Sequence, residues 1–305
     1  MSTNISLPNL DVLKCDNEKK SREYFSELLN VPGDDSNFFK KLYNYIFNFF
    51  GYGNLGSQEE PTMWFVGIEE GGGYDNVNEV KKGIEIWDEQ KGKIEGTTLD
   101  VYEYYKAYFG GENNNDFKEL FSKKPQKTWE QVINIALSYN NKKNDANERL
   151  KYQLDEFGRL KSDMCHLNLL PLSCKGVTDW KYGDYFPKLN CLRNKDKYIE
   201  CLIDYRICKI KEMIYEKKPE FVVFYTKCKY RDEKISKIFY NNDPSNNLYE
   251  CLIDLQDKKK SIYIGKLSSS IIVICYHPAS IYHNKKGDYF INIGKRLREL
   301  TDSKI

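Results

Sequence analysis

Carboxylate, amide and imidazole side chains stand at or near the ends of three short apolar runs. Glu69 and Glu70 follow MWFVGI, Asn168 lies in LNLLPL, and His277 closes IIVICYH. An acid, an amide and an imidazole can orient water, transfer a proton and hydrogen-bond a leaving group. These groups can act together only if the fold brings the ends of the runs to one place.

These three runs and a fourth, Phe221–Thr226, have the composition of buried strands. The three are Met63–Ile68, Leu167–Leu172 and Ile271–His277. Each is too short for a helix and mostly lacks polar alternation, which is typical of strands buried on both faces of a parallel sheet. Ligands of such sheets bind beyond the carboxyl ends of the strands. The polar residues therefore stand where a site is expected.

Segments with helical character separate the runs. They are Phe38–Phe50, Val101–Phe109, Trp129–Leu137, Lys195–Lys217 and Asp288–Leu300. Strands separated by helices indicate an α/β fold, which we expect to be a four-stranded parallel sheet flanked by helices in three layers. We predict one domain over residues 1–305, with a helical extension at 1–60 and a mainly helical insertion at about 75–160.

The overall composition fits a globular protein and excludes several classes. Hydrophobic residues make up 40% and charged residues 30% of the 305 residues, and the net charge of +2 neither demands nor excludes a nucleic-acid partner. No apolar run approaches the roughly 20 residues needed to span a bilayer. The nine cysteines contain no C-x-x-C pair, which disfavours zinc and iron–sulfur sites. We expect a cytoplasmic protein with no membrane contact, metal or other cofactor.

The order of the polar motifs resembles that of the uracil-DNA glycosylase superfamily. The matching segments are GIEEGGG after the first strand, Asn168 in the second, and YHPAS at Tyr276–Ser280 after the last. In that family the first motif reads G-Q-D-P-Y-H, G-E-A-P-G or G-I-N-P-G, and the last reads H-P-S or H-P-A. The similarity extends from about Met63 to Leu300. It implies a DNA partner, duplex or single-stranded, from which a base is flipped out.

The resemblance also implies roles for the residues at the strand ends. Glu69 falls where the family has its catalytic Asp or Asn, which orients water and steadies positive charge on the sugar. His277 would donate a hydrogen bond to the base as a neutral imidazole, and Asn168 would read the polar edge of the base. Ile68 and Gly71 would adjoin the base.

Two departures from the family pattern bear on the substrate. Glu70 replaces the family's proline, so two carboxylates are adjacent, and on an extended backbone they point opposite ways. We therefore expect one of them to enter the pocket, and position favours Glu69. Gly71 stands where one branch has a tyrosine that packs against C5 of uracil. A glycine there opens the pocket to a larger, modified pyrimidine.

Further contacts with DNA are implied beyond the base. The backbone N–H groups of Gly72 and Gly73 could cradle a phosphate at the start of the next helix. Ile281 aligns with the family's intercalating wedge, and Tyr282 follows it, although both could instead pack in the core. The resemblance places Ser280 and Lys285 near phosphates.

Three functions remain open from the sequence. The first is a monofunctional DNA glycosylase that uses water as nucleophile, because no motif lysine lies in the expected pocket. The second is a glycosylase-like module that binds DNA or another partner without cleaving. The third is a nucleotide-processing enzyme on an unrelated sheet. His166 precedes the second run and is interpreted as structural.

Overall fold

The central element of the fold is a sheet of eight strands. A computed structural model describes residues 10–71, 73–91, 97–175, 179–226, 234–235, 239, 248–255, 258–281 and 286–303. Its strands are β1 (Gly51–Gly53), β2 (Met63–Gly71), β3 (Thr98–Leu99), β4 (Met164–Cys174), β5 (Phe221–Thr226), β6 (Tyr249–Leu255), β7 (Lys258–Leu267) and β8 (Ser270–Tyr276). In space they follow the order β3-β1-β4-β2-β5-β8-β7-β6.

The four strands predicted from sequence form the middle of this sheet. They are β2, β4, β5 and β8, and each pairs in parallel with its neighbour in the order β4-β2-β5-β8. Parallel pairing brings their carboxyl ends to one edge, as the sequence requires for a shared site. The α/β class with a sheet flanked by helices is therefore confirmed.

The prediction of four wholly parallel strands is wrong, because the sheet is larger and mixed. β1 pairs antiparallel with β4, while β7 pairs antiparallel with both β6 and β8. β1 and β3 are too short to show a pattern. β6 and β7 lie at the opposite edge, where polar residues are tolerated. The lysines Lys258–Lys260 begin β7.

Helices surround the sheet, and two of them begin and end where the sequence indicates. They are α1 (Leu10–Phe25), α2 (Ser36–Asn48), α3 (Val77–Lys91), α4 (Val101–Phe109), α5 (Asn115–Lys118), α6 (Lys127–Tyr139), α7 (Ala146–Asp155), α8 (Tyr182–Tyr185), α9 (Asn190–Arg193), α10 (Lys195–Lys217) and α11 (Lys286–Asp302). α4 and α10 have the predicted bounds. Within the described ranges, no helix has the length and apolar character needed to cross a bilayer.

The helices α10 and α11 hold distant parts of the chain together by packing. α10 packs against β4 and α1, while α11 packs along α6 from the 75–160 segment. The α11–α6 contact is close because Gly294 faces α6, where an added Cβ would lie 2.4 Å from the carbonyl oxygen of Ile135. The N-terminal segment is not purely helical, since it contributes β1 to the sheet.

A fully buried arginine on α10 joins the N-terminal segment to the central sheet. Arg206 donates to the carbonyl oxygens of Asn168 and Leu169 on β4 at 2.8 and 3.0 Å. It also donates to the carbonyl oxygen of Phe49 at 2.8 Å, and its guanidinium lies 3.7 Å from the ring centroid of Phe50. In the described residues, β1 pairs with β4 only as far as Leu167. Arg206 therefore supplies the hydrogen-bond donors for the carbonyl oxygens of the next two residues, Asn168 and Leu169.

We expect Arg206→Met to lower the free energy of unfolding by about 3 kcal/mol or more, because it leaves buried carbonyls without donors. The matched control is Arg22→Met, since Arg22 also lies over a phenylalanine ring but is partly exposed. Arg22→Met should lower the free energy of unfolding by less than about 1 kcal/mol. Urea unfolding of both variants measures the difference. Equal losses would show that Arg206 does not have this role.

Candidate active site

A cavity of about 1350 Å³ opens at the carboxyl ends of the four central strands. Glu69 reaches it from β2, Cys174 from β4, Tyr225 from β5, and His277 from the residue after β8. The facing wall comes from the 75–160 segment and the residue before it. It carries charged residues and six aromatic ones: Tyr74, Tyr104, Tyr105, Tyr108, Phe109 and Trp129. The sheet edge and the insertion therefore enclose one space.

Glu69 is held in the cavity by an ion pair. Its Oε1 accepts from Nζ of Lys195 at 3.0 Å, and both side chains are largely buried. Its Oε2 is buried without a hydrogen-bond partner in the described part of the chain. One carboxylate oxygen is thus anchored, and the other is buried without a partner among the described residues.

The lysine in this pair was missed by sequence reasoning. Lys195 is the first residue of α10, distant in sequence from every motif, so only the tertiary structure reveals it. Burial lowers its pKa, but the Glu69 carboxylate and Cys174 together outweigh this and raise the pKa of Lys195 above its usual value. The amine therefore stays protonated at neutral pH and is a poor nucleophile.

His277 accepts a hydrogen bond from the backbone of the turn that follows it. Its Nδ1 accepts from the backbone N–H of Ala279 at 3.1 Å, in the 3₁₀ turn Pro278–Ser280. In a neutral imidazole the proton must then be on Nε2. The His-Pro-Ala-Ser segment therefore favours this tautomer of His277.

The rings of His166, Tyr225 and His277 form a row along the sheet side of the cavity, which is its floor. His166 lies between Phe157 and Tyr225, with ring centroids 5.2 and 6.0 Å away, and Tyr225 lies 6.0 Å from His277. Nε2 of His166 and the hydroxyl of Tyr225 share a hydrogen bond. Tyr225 reaches across β2 at Gly67, where an added Cβ would lie 2.7 Å from the Tyr225 hydroxyl. Gly67 is therefore required for this contact.

His166 contributes to the cavity, in contrast to its structural interpretation from sequence. Only 4% of it is exposed, and burial lowers its pKa to about 4, so the ring is neutral at pH 7. Its Nδ1 has no hydrogen-bond partner among the described residues. The sequence did contain an indication of Tyr225, because a side chain with a hydroxyl near the end of Phe221–Thr226 is expected close to the site. It was used only as evidence that this run is a strand.

Asn168 does not line the cavity. It is 1% exposed, and neither its amide oxygen nor its amide nitrogen has a partner within the described ranges. Strand alternation gives it the same face of β4 as His166 and Leu170, which both line the cavity. The amide therefore lies at the level of the floor, covered by its neighbours.

The glycine-rich segment adjoins the cavity in part. Ile68 and Gly73 line it, and Gly71 ends β2. Gly73 has a φ of +55°, and an added Cβ would lie 2.4 Å from the backbone nitrogen of Lys175, so a glycine is needed there. Gly72 and the side chain of Glu70 lie outside the described residues.

The start of the next helix is a poor phosphate cradle. The Asn76 side chain accepts from the N–H groups of Asn78 and Glu79 at the beginning of α3. The Glu79 carboxylate accepts from the N–H of Asp75. These donors are already used and two carboxylates adjoin them, which disfavours an anion.

The proposed DNA-intercalating residue is part of the core. Ile281 is 3% exposed, so its side chain does not project toward a ligand, and the core-packing alternative describes it better. Burial of an apolar side chain at this turn accounts for the difference. Tyr282, Lys285 and the side chain of Ser280 lie outside the described residues.

The cavity offers hydrogen-bonding groups and charges rather than a metal cage. Within the described part of the chain, no group of three or more His, Cys, Asp or Glu side chains is arranged to hold a metal ion. Lysines and carboxylates both line the walls: Lys82, Lys124, Lys127, Lys175, Lys195, Glu69, Asp75, Glu79, Asp116, Glu119 and Asp196.

His166 should make the protein less stable in mild acid. The pKa of His166 is about 4 in the folded protein and 6.5 in its ordinary state. Between these pH values the unfolded chain binds a proton on His166 and the folded chain does not. Stability is therefore lost as pH falls from about 6.5 to about 4, by about 3 kcal/mol in total. Urea unfolding of wild type and His166→Gln between pH 7 and 4 should show a smaller loss for the variant. Identical pH profiles would contradict this.

Comparison with models of protein families gives no match, and comparison with curated proteins gives none either.

Proposed function

We propose that the chain is a monofunctional DNA glycosylase that hydrolyses the N-glycosidic bond of a pyrimidine flipped into the cavity. The observation that carries this proposal is that the Glu69 and His277 side chains line one cavity at the carboxyl ends of parallel strands. The motif resemblance to uracil-DNA glycosylases adds support. The proposal concerns uracil or a modified pyrimidine.

The reaction needs groups that stabilise opposite charges. As the bond between C1′ and the base nitrogen breaks, positive charge develops on the sugar and negative charge on the base. The Glu69 carboxylate is suited to the sugar side, where it can also orient the water that attacks C1′. The Nε2–H of His277 is suited to a carbonyl oxygen of the departing base. The water loses its proton and the base gains one.

The cavity is large enough for more than a free base. Its volume of about 1350 Å³ exceeds the roughly 300–1,000 Å³ of ordinary small-molecule sites. A nucleotide with its sugar and a substituent on the base would use that space. The six aromatic side chains on the facing wall are suited to stacking with a base. These features support a substrate that is still attached to a nucleic-acid strand.

A binding module without catalysis is the second candidate, and the Glu69–Lys195 ion pair favours it. A carboxylate neutralised by an ammonium 3.0 Å away stabilises a sugar cation less than a free carboxylate does. The buried Ile281 removes one expected contact with duplex DNA. On this view the same cavity recognises a base without cleaving its bond.

We expect Glu69→Gln and His277→Ala each to lower base excision by about 100-fold or more, because each removes a group that acts in the transition state. Oligonucleotides containing uracil, hypoxanthine, or hydroxymethylated or glucosylated cytosine, single-stranded and duplex, serve as substrates. Alkaline cleavage at the resulting abasic sites gives the rate.

The matched control is Glu130→Gln. Glu130 also forms a 3.0 Å ion pair, with Arg149, but it does not line the cavity, so excision should stay within about threefold of wild type. Excision that is unchanged in Glu69→Gln would reject the residue assignment. Specific binding without any excision would favour the second candidate.

Lys195 should act on Glu69 rather than on the sugar. Borohydride, which reduces an imine between a lysine and an opened sugar, should trap no covalent complex with DNA, because the ammonium stays protonated. Lys195→Arg should retain more excision than Lys195→Met, since an arginine preserves the charge beside the carboxylate. A trapped complex that disappears in Lys195→Met would show instead that the lysine is the nucleophile.

A further inference from the structure

The helix α6 begins at the cavity with backbone donors that no group in the described part of the chain uses. Gln126 precedes the helix, and its side chain makes no capping hydrogen bond. The next three residues, Lys127, Thr128 and Trp129, all line the cavity, and their N–H groups have no acceptor among the described residues. The first N–H groups of a helix lack partners within the helix and attract anions. The start of α6 is therefore open to a ligand.

Two other helices begin at the cavity, and both are capped by an asparagine side chain. Asn76 accepts from the N–H groups of Asn78 and Glu79 at the start of α3. Asn194 accepts from the N–H group of Lys197 at the start of α10. A capping side chain satisfies donors that an anion would otherwise use. Of these three helix starts, that of α6 is the one without such a cap.

The segment before α6 is held in place by a fully buried glutamine of α7. The side-chain oxygen of Gln153 accepts from the N–H group of Gln126 at 2.7 Å, and its nitrogen donates to the carbonyl oxygen of Leu120 at 2.9 Å. The fold itself therefore sets the position of the donors that follow. Groups that are held in advance lose less conformational entropy when a ligand binds.

The charges near the start of α6 balance one another. Lys124 and Lys127 are exposed residues of the cavity wall, just before the helix and at its first position. The exposed residues Asp116 and Glu119 line the cavity as well, while Glu130, in the first turn of α6, does not. Because the two lysines offset the two carboxylates, an anion here depends mainly on the directed N–H groups.

A second observation indicates that the cavity takes a polar ligand. Nδ1 of His166 and Oε2 of Glu69 are buried atoms of cavity-lining residues, and neither has a partner among the described residues. Buried polar atoms are normally paired, so unpaired ones beside a cavity indicate a polar ligand. The ring of His166 lies 5.2 Å from that of Phe157, which stacks on Trp129 at 4.6 Å between centroids. The unpaired nitrogen and the start of α6 therefore border the same part of the cavity.

We propose that the start of α6 binds a phosphate group of the nucleotide that enters the cavity. This inference rests on the proposed function, because it describes how the same cavity holds its substrate. A phosphate can accept from several N–H groups at once, and backbone donors bind it whatever the base. The cavity floor, with His166 and Glu69, then faces the sugar and the base. The 75–160 segment thus provides the phosphate site that the capped start of α3 does not provide.

Gln126→Asp should weaken the binding of DNA without weakening the fold. An aspartate before the helix accepts from the N–H groups of α6 and adds a negative charge, so it stabilises the helix and excludes a phosphate. Fluorescence anisotropy with the oligonucleotides used for excision should show at least about tenfold weaker binding, at an equal or higher melting temperature.

The matched control for this variant is Asn147→Asp. It adds the same charge at the start of α7, outside the cavity lining, so its affinity should stay within about twofold of wild type. Equal losses in the two variants, or no loss in Gln126→Asp, would overturn the inference.

Oligonucleotides with one uncharged methylphosphonate linkage beside the target base test the phosphate itself. Wild type should bind at least one of the two flanking replacements about tenfold more weakly, and Gln126→Asp should bind modified and unmodified strands equally. Deoxycytidine and deoxyuridine monophosphates represent the other source of a phosphate. If they bind wild type but not Gln126→Asp, and neither linkage matters, the site takes free nucleotides rather than a strand. If neither linkage matters and neither monophosphate binds, the inference is overturned.

A second variant removes one donor without adding a charge. Lys127→Pro deletes the first N–H group of α6, and proline is tolerated there because Gln126 is extended, with φ −65° and ψ 134°. Its affinity for DNA should be at least about threefold below that of Lys127→Met, which removes the lysine charge alone. Equal affinities of these two variants would show that the N–H group has no role.

Comparison of binding with excision separates failure of this inference from failure of the proposed function. If no base is excised, the proposed function fails, while the anisotropy measurements still test the phosphate site. If Gln126→Asp excises a base at the wild-type rate with DNA below saturation, the inference fails and the proposed function stands.

Discussion

The buried guanidinium of Arg206 is the interaction on which the position of the site depends. It carries a full charge into the core, where desolvation lowers its pKa to about 10, and its described acceptors are backbone carbonyls. Those carbonyls belong to β4 and to the segment that follows α2, so one side chain sets the distance between the helix and the strand. Because Asn168 provides one of the carbonyls, the same contact fixes the backbone beneath the cavity. Arg206 therefore contributes both to the stability of the fold and to the geometry of the site.

The cavity floor combines groups that would each be unfavourable in an ordinary core. The neutral His166, the Asn168 amide and the half-paired Glu69 carboxylate all lie on one face of β2 and β4. Each lowers stability, since a buried polar atom without a partner has lost its hydrogen bonds to water. Tyr225 and Lys195 recover part of this by pairing with one atom each of His166 and Glu69.

Sequence reasoning succeeded where local pattern decides structure. Apolar runs located β2, β4, β5 and β8, and helical character located α4 and α10 at their observed bounds. It failed where tertiary context decides. β1 and β3 are too short to carry a pattern, and β6 and β7 are polar because they lie at the sheet edge. Glu69 and His277 were found because they follow buried strands. Lys195 and His166 were missed because only the register of distant segments brings them to the cavity, and Asn168 was placed on the lining although its neighbours cover it.

The long segment between β2 and β4 has a consequence for how the protein folds. The two strands pair along most of their length, yet the whole insertion separates them in sequence, and Glu69 and Lys195 are 126 residues apart. Closing such long loops lowers the entropy of the chain before the stabilising contacts have formed, and this slows folding. During synthesis the carboxyl edge stays incomplete until β8 has emerged. The cavity is therefore among the last features to form, and an intermediate that lacks β8 exposes the apolar edge of β5 to aggregation.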